Sequence, residues 1–387
     1  MPKYKFDDIA FNSTEKKKPT EEDKYTYIGL EHLDSGTLTV SRWGAEVTPI
    51  GEKLVMRKGD VLFGKRRAYQ KKVGIAPFDG IFSAHGMVLR PKEAVITKEY
   101  FPLFISSDYF LNEAIRISVG SLSPTVNWKD LKDLEFSIPT IEEQRRLTPL
   151  IWAAIDAKNA YKNLIARTDD LVKSQFIEMF KNGKYPVVKA EEVCGFITKG
   201  TTPKSDELFS EAAPGSVPYI KVYNLSFGGG LLFDEEPQFI DKAVHDGKLG
   251  RSKVVPNDVL MNIVGPPLGK FALVTDEYPE WNVNQAISIF RAKKQILPKF
   301  LLHALMSPDV LGPFLENARG VRQLNLSLEQ CRNLAFPLPP IPEQQDFVAF
   351  AEQSDKSKLM LQRKAITIYY KTIGGFCYAR NFYGTKC

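Results

Sequence analysis

The chain has 387 residues, of which 43% are hydrophobic and 25% are charged, so it can form two or three domains with buried cores. No apolar run reaches the length of a membrane-spanning helix, and the segment 1–13 lacks the apolar core of a signal peptide, so we expect a cytoplasmic protein. The formal net charge of +6 permits nucleic-acid binding but does not require it.

The sequence contains an internal repeat. The segment 131–147 (LKDLEFSIPTIEEQRRL) matches the segment 331–347 (CRNLAFPLPPIPEQQDF) at a constant offset of 200 residues. Two further matches lie closer to the N-terminus of each copy and have slightly smaller offsets. They pair KGDVLF at 58–63 with PNDVLM at 256–261, and YIGLEHL at 27–33 with YIKVYNL at 219–225. Loop insertions would cause this drift, so we infer two copies of one unit.

Each copy opens with a strand-rich segment, over 1–139 in the first copy and 186–340 in the second. Short runs of β-branched and aromatic residues alternate there with turn residues such as Gly59-Asp60 and Pro256-Asn257, which predicts strands. A single helix is expected near the end of each segment, over 98–116 and over 298–318. The predicted fold class is therefore mixed α/β (α+β).

Each copy closes with a long helix, predicted within 140–185 and 341–387. Thr140 and Glu143 have the spacing of a capping box. Apolar residues at alternating spacings of four and three predict a coiled-coil seam: Leu147, Ile151, Ala154, Tyr161, Ile165, Thr168, Val172, Phe176 and Met179. The second seam is weaker: Phe347, Ala351, Ser354, Leu361, Ala365 and Ile368, with the helix expected to stop before Gly374-Gly375. Either helix alone could be a core helix of a bundle, but two after matching domains favour an antiparallel pair.

No catalytic signature is present. The segment 265–271 (GPPLGKF) resembles a phosphate-binding loop, but it has one residue too few between its glycines, two prolines and no Ser or Thr after Lys270. The cysteines form no CxxC pair and the four histidines are scattered, so we expect reduced thiols and no metal site: Cys194, Cys331, Cys377 and Cys387. We therefore predict a protein that is not an enzyme.

The strongest binding signal in the first copy is the basic segment 64–72 (GKRRAYQKK), which follows a predicted strand. It places five cations around Tyr69: Lys65, Arg66, Arg67, Lys71 and Lys72. Such a segment can contact several phosphates and leave an arginine for a guanine edge. A solvated basic loop is an alternative of equal weight.

The equivalent stretch of the second copy, 261–270 (MNIVGPPLGK), has Lys270 as its only cation and is followed by amide side chains. Asn262, Asn284 and Gln285 suit paired hydrogen bonds to adenine, whereas Asn282 could equally be a turn residue with local backbone bonds. Further candidates lie in 245–253 (HDGKLGRSK) and in 319–325 (RGVRQLN): Arg319, Arg322 and Gln323.

Two strand-rich domains, each ending in IPTIEEQ or LPPIPEQ and running into a long helix, resemble the specificity subunit of Type I restriction-modification enzymes. The segment 175–180 (QFIEMF) is similar to the end of that family's central helix, and 59–83 and 257–290 are similar to two of its types of target recognition domain. The resemblance covers nearly the whole chain. It fails at 369–382 (YYKTIGGFCYARNF), where the family's second helix usually closes differently.

The resemblance implies target recognition domains at 1–139 and 186–340 that each read half of an asymmetric bipartite DNA site. The central helix (140–185) and the C-terminal helix with its tail (341–387) would form the coiled coil that sets the gap. Two modification subunits that bind S-adenosylmethionine, and restriction subunits that use ATP and magnesium, would assemble on this chain, which itself would bind no cofactor. The alternative is a coiled-coil scaffold that assembles proteins without reading DNA.

Overall fold

The computed structural model describes the backbone of residues 1–181, 183–265, 267–316 and 324–378, and their side chains except those of 314–316, 324, 362 and 365–378. The chain forms two compact units. The first comprises Met1–Ala160 together with the described residues after Lys364, and the second comprises Tyr161–Lys364. The predicted division into recognition domains and separate helices stays a prediction.

The first unit contains short strands and short helices, followed by the start of a long helix. The strands are β1 (Lys3–Lys5), β2 (Ala10–Ser13), β3 (Lys16–Lys17), β4 (Tyr27–Ile28), β5 (Lys53–Met56), β6 (Val61–Phe63), β7 (Val73–Ile75), β8 (Gly80–Phe82), β9 (Met87–Pro91) and β10 (Glu135–Ser137). The helices are α1 (Phe6–Ile9), α2 (Phe101–Ile105), α3 (Asp108–Arg116), α4 (Trp128–Leu131) and α5 (Ile141–Phe180), which continues into the second unit.

The second unit has the same succession of elements. Its strands are β11 (Val187–Lys189), β12 (Cys194–Lys199), β13 (Val217–Ile220), β14 (Phe239–Ile240), β15 (Lys253–Val254), β16 (Val259–Asn262), β17 (Val264–Gly265), β18 (Phe271–Leu273), β19 (Trp281–Val283), β20 (Ile287–Ala292), β21 (Leu324–Asn325) and β22 (Ala335–Pro337). Its helices are α6 (Ala190–Val193), α7 (Lys242–Asp246), α8 (Pro298–Met306), α9 (Pro308–Glu316), α10 (Leu328–Arg332) and α11 (Ile341–Tyr378).

The two units share one sheet topology, which confirms the predicted α+β class and the repeat. The sheet β2-β9-β6-β7 corresponds to β12-β20-β16-β18, and the ribbon β1-β10 corresponds to β11-β22. In the remaining four-stranded sheet, β5-β8-β4 corresponds to β15-β19-β13, including one parallel pair in each. The edge strand of that sheet differs, being β3 beside β5 in one unit and β14 beside β13 in the other.

The repeated Asp-Val-Leu motif forms a strand that is buried on both faces. Val61 and Phe63 pack against the helices of the first unit, whereas Leu62, on the opposite face of β6, packs among residues of the other sheet. In the second unit Met261 and Leu260 divide in the same way. The apolar run is therefore the signature of a strand between two hydrophobic layers.

The single helices expected over 98–116 and 298–318 are each two helices, so that expectation was wrong. Ser107 has an extended backbone and its hydroxyl accepts a hydrogen bond from Phe110 N at 3.3 Å, which starts α3 as a new helix. Pro308 begins α9, and a residue before proline is disfavoured in helical conformation. The break therefore falls at Ser307, the counterpart of Ser107.

The long helix α5 spans about 60 Å if its 40 residues follow the usual rise. The predicted capping box is present, since Thr140 N donates to Glu143 Oε2 at 3.0 Å and Glu143 N donates to Thr140 Oγ1 at 3.3 Å. The helix continues through Pro149. Helix α11 likewise continues through Gly374-Gly375 to Tyr378, because two glycines lower helix stability without forbidding the conformation.

Within the second unit the two long helices pack in antiparallel orientation, as predicted. Lys358 Nζ lies 2.6 Å from Asp169 Oδ1, and the rings of Phe176 and Phe347 are 5.2 Å apart. The later residue of α5 therefore meets the earlier residue of α11. The seam residues Val172, Phe176, Phe347 and Ala351 are all less than 5% exposed.

A buried glutamine joins each long helix to the strand-rich part of its unit. Gln144 Nε2 donates to the carbonyl oxygens of Val95 and Pro139 at 2.9 and 2.8 Å, and its Oε1 accepts from Thr97 N at 2.7 Å. Gln344 makes the same three bonds at 3.0, 2.8 and 2.8 Å. Both glutamines are fully buried. Because their hydrogen bonds satisfy buried backbone groups, the two copies match most closely around the Glu-Gln pairs 143–144 and 343–344.

Candidate nucleic-acid interface

Three segments of the first unit meet at the end of the sheets that carries the basic loop 64–72. Arg66 N donates to His85 O at 3.2 Å, which joins this loop to the turn 83–86 after β8. Lys65 shares a pocket with residues of the segment 12–16. These three segments are called the loop face of the first unit.

The loop face projects Arg66, Arg67 and Tyr69 into solvent. Arg66 and Arg67 are exposed, and Tyr69 is 53% exposed. Arg66 Nη1 lies 3.4 Å from His85 Nε2, and Arg67 Nε donates to Ser123 Oγ at 3.3 Å. These contacts leave most guanidinium donors available for phosphate or base edges.

Lys71 and Lys72 hold the loop in place. Lys71 Nζ donates to Asp108 Oδ1 at 2.5 Å, and Lys72 Nζ donates to Leu30 O at 2.7 Å. Their charges contribute to the local field, but their geometry is that of anchoring residues. Of the five predicted cations, Lys65, Arg66 and Arg67 are the better candidates for direct contacts.

The backbone of the loop is also constrained. Arg67 and Lys71 have positive φ angles of 56° and 50°, which non-glycine residues seldom adopt. Arg67 N donates to Pro124 O at 2.7 Å, and Ala68 between them is buried. Tertiary contacts therefore maintain a strained conformation, as is common where side chains are held for binding.

The loop face of the first unit carries more positive charge than its sequence predicted. Burial lowers the pKa of Lys65, and Lys16 lowers it further. Burial also lowers the pKa of His85, with smaller contributions from Arg66, Lys65 and Lys53. An approaching anion would relieve this repulsion. The signal in the sequence was the lysine run at 16–18, which only the fold brings near the loop 64–72.

The loop face of the second unit is formed by 199–204, 263–265, 267–270 and 284–286. Ile263 N donates to Ala286 O at 2.8 Å, and Gly200 N donates to Ile287 O at 2.9 Å, so these segments meet as in the first unit. Asn284 Nδ2 lies 3.4 Å from Thr202 Oγ1, and Gln285 beside it is exposed. This surface therefore presents neutral amides and hydroxyls together with the exposed Lys199 and Lys204.

Besides Lys199 and Lys204, two further cations lie at the loop face of the second unit. Lys270 Nζ lies 5.8 Å from the centre of the Phe227 ring. Arg251 is exposed, and its Nε donates to Thr201 Oγ1 at 3.0 Å. In the sequence Arg251 is only one residue of the candidate segment 245–253, because its hydrogen-bond partner Thr201 is 50 residues away in the chain.

Asn262 does not lie on this surface, which corrects the expectation that it contacts a base. It is fully buried, and its Nδ2 donates to Val264 O and Pro267 O at 3.4 and 2.8 Å. Its Oδ1 accepts from Lys270 N at 2.8 Å. Asn262 thus holds Val264, Pro267 and Lys270 of this loop in place. The predicted residues Arg319, Arg322 and Gln323 lie outside the described residues.

The buried His245 and the more exposed Asp246 and Glu280 have the residue types of a metal site but the bonding of an ion-pair network. Asn282 Nδ2 donates to His245 Nδ1 at 3.1 Å, so the neutral ring carries its proton on Nε2, which points towards Glu280 Oε2 at 3.5 Å. Lys242 pairs with Glu280, and Lys253 pairs with Asp246. This bonding leaves no ring lone pair for a metal.

The two described cysteine side chains, Cys194 and Cys331, are free and buried. Burial raises their thiol pKa values to about 12 and about 11, so they are protonated and unreactive at neutral pH. Among the described residues, no helix is long and apolar enough to cross a membrane.

Comparisons with known proteins agree with this architecture. Residues 4–159 and 182–368 match the family model described as Type I restriction modification DNA specificity domain. This chain is similar in fold to the crystal structure of the S subunit of a Type I restriction-modification system from M. genitalium. The two superpose over 96% of this chain and 94% of that chain, with a TM-score of 0.51 and 14% sequence identity. That likeness concerns the fold.

Two curated relatives from Escherichia coli are similar over part of their length. The Type I restriction enzyme EcoDI specificity subunit is 25% identical over 183 residues, which are 46% of this chain and 40% of that protein. The EcoBI specificity subunit is 36% identical over 106 residues, which are 27% of this chain and 22% of that protein. The matches thus span less than half of each relative. The family model, by contrast, covers both repeats, and the chain belongs to the Type I restriction modification DNA specificity domain family.

Proposed function

We propose that this chain is the DNA-recognition subunit of a Type I restriction-modification complex and reads an asymmetric, bipartite site. The proposal rests on the pair of loop faces. Each lies on a frame of strands and helices with the same topology, but the two faces carry different side chains. The first presents Arg66 and Arg67, and the second presents Asn284 and Gln285. Arginine pairs well with guanine edges and amides pair well with adenine, so the two faces suit two different half-sites.

The division of roles follows from the contacts. Phosphate contacts position a protein on DNA, whereas base contacts specify the sequence. The rigid parts of each unit, including the buried glutamines, keep the loops in register. The residues that differ between the faces are then those that select bases.

The chain is proposed to act without a catalytic centre of its own. Two modification subunits that carry S-adenosylmethionine, and restriction subunits that use ATP and magnesium, are the proposed partners in the cytoplasm. Exposed apolar side chains on the long helices support docking of such partners, since they remain uncovered in the single chain: Leu164, Leu171, Leu359 and Met360, which are 46–59% exposed.

The test is selection of DNA by the chain together with its modification partner from a pool of random duplexes. Enrichment of a split motif with two unlike halves supports the proposal. Retention of DNA without any enriched sequence, or assembly with the partner without DNA binding, would instead identify a coiled-coil scaffold.

A further inference from the structure

A pocket of about 360 Å³ opens on the loop face of the first unit. Its lining offers two ammonium groups, a hydroxyl and a side-chain amide, and contains no carboxylate: Asn12, Thr14, Lys16, Leu54, Lys65, Ala84 and Gly86. The nearest described acidic partner is Glu52, whose carboxylate lies 3.9 Å from Lys16 Nζ on a side chain that is 58% exposed. The pocket is therefore rich in donors and short of acceptors.

Lys65 is the unusual member of this lining. It is partly buried, and among the described residues no carboxylate lies within the 4.0 Å of an ion pair from its ammonium group. A partly desolvated cation without a counter-charge destabilises the folded state. A residue retained at such a cost commonly serves a ligand.

Asn12 supplies an independent observation. Its Oδ1 is buried and has no hydrogen-bond partner, although it belongs to the wall of the same pocket. The two ends of a side-chain amide are interchangeable by rotation, so Asn12 can turn its Nδ2 to donate to an anion. In that orientation an anion in the pocket would supply the hydrogen-bond partner that the amide otherwise lacks.

The second unit shows that the frame does not require these polar residues. Ile263 occupies the place of Lys65, because Leu326 N donates to Ile263 O at 2.8 Å as Val126 N donates to Lys65 O at 3.0 Å. Ile263 is 2% exposed and belongs to the hydrophobic core. An isoleucine thus fits this backbone position, so the lysine is not a structural necessity.

We propose that this pocket binds a phosphate group, held by the ammonium groups of Lys16 and Lys65, the Thr14 hydroxyl and the Asn12 amide. The expected source is the DNA backbone, and to that extent the inference rests on the proposed function. A free phosphate ion has the same chemistry and is the other possible source. The binding is expected of the first unit alone, because the second has the apolar Ile263 in place of the buried lysine.

The first arm of the test measures thermal stability of the full chain in inorganic phosphate and in chloride at equal ionic strength. Phosphate should raise the Tm of the wild type and of Lys58→Gln, an exposed lysine at the opposite end of β6. It should raise the Tm of Lys65→Ile and Lys65→Gln by a smaller amount, because these variants keep only the general stabilisation that phosphate gives any protein through its exclusion from the surface. In chloride, Lys65→Ile should have a higher Tm than the wild type, because it removes an unpaired cation.

The second arm measures DNA affinity of the chain with its modification partner over a range of salt concentrations. Lys65→Ile should reduce the slope of log affinity against log salt by about 1, and Lys58→Gln should leave it unchanged. Protection by phosphate with an unchanged slope identifies free phosphate as the source. If phosphate raised the Tm of the wild type and of both Lys65 variants equally while the wild type still bound DNA, the proposed phosphate site would be wrong. If the wild type did not bind DNA at all, the proposed function would be contradicted instead.

Discussion

The loop faces of the two units lie on matching frames and differ in chemical character. Lys65 and Arg66 of the first unit stand where the second has Ile263 and Val264. Conversely, the turn after β8 ends in small residues and His85, whereas the corresponding turn of the second unit carries Asn284 and Gln285. One frame can therefore present arginines at these positions in one unit and amides in the other.

This difference shows how a repeated fold can read two targets. Elements that are buried on both sides tolerate few changes, because packing and backbone hydrogen bonds depend on them. The backbones of the loop faces are held by those elements, and side chains such as Arg66 and Gln285 are exposed to solvent. Substitutions in the shared frame should therefore act on stability, and substitutions on the loop faces should act on DNA binding.

The largest effect is expected from Gln144→Ala and Gln344→Ala. Each variant leaves one N–H and two carbonyl groups, which are buried or partly buried, without their partner, and this should cost about 3 kcal/mol of stability in its own unit. Chemical denaturation with peptide-resolved hydrogen exchange measures the loss. Gln353→Ala, on the exposed side of α11, is the control and should stay within about 0.5 kcal/mol. Strongly unequal losses would contradict a shared frame.

The double variant Arg66→Ala with Arg67→Ala should weaken DNA binding by about 2–3 kcal/mol and reduce the salt slope by 1 to 2, roughly one per lost phosphate contact. Sequencing of selected duplexes should show relaxed preference in one half of the motif alone. The matched control is Arg57→Ala, whose side chain is exposed and pairs with Glu15 at 3.5 Å. A loss of preference in both halves would show that the two faces do not read separately.

Helix α8 of the second unit and its counterpart α2 in the first unit should respond differently to acid. Burial lowers the pKa of His303 to about 4, opposed by Asp355 and assisted by Lys299 and Lys358. The unfolded chain binds the proton more readily, so stability is complete above pH 6.5 and falls as the pH drops from 6.5 to 4. We expect a loss of about 2 kcal/mol, since the ring keeps some contact with solvent.

The first unit supplies the control for this pH effect, because it has the buried Leu103 at the place of His303. His303→Leu should therefore reduce the acid sensitivity of the second unit between pH 6.5 and 4, and the part that remains is expected from His245, whose pKa is also lowered by burial. Hydrogen exchange at about pH 7 and about pH 5 measures it in each unit separately. Persistence of the full sensitivity in the variant would assign it to another group.

The smallest effect is expected from Asn284→Ala with Gln285→Ala. These neutral side chains should contribute about 1–2 kcal/mol through base edges, and their loss should leave the salt slope unchanged. Selection should show relaxed preference in the other half of the motif. A fall in the salt slope would mean that the second face also acts through phosphates, and the contrast between the faces would disappear.

Much of the architecture followed from local patterns in the sequence. The offset of 200 residues, the capping box at Thr140 and the apolar seam of α5 predicted two similar units and two antiparallel helices, and the fold agrees. Such features depend on periodicity and on neighbours within one or two helical turns.

Only the tertiary structure decided which polar residues are free. Asn262 and Gln285 are both amides near the same loop, yet one is fully buried and bonded while the other is exposed. Lys71 is anchored by Asp108, 37 residues away, whereas its neighbour in the loop, Lys65, faces a pocket without a carboxylate. The availability of a side chain depends on partners that are distant in the chain, and sequence periodicity carries no information about them.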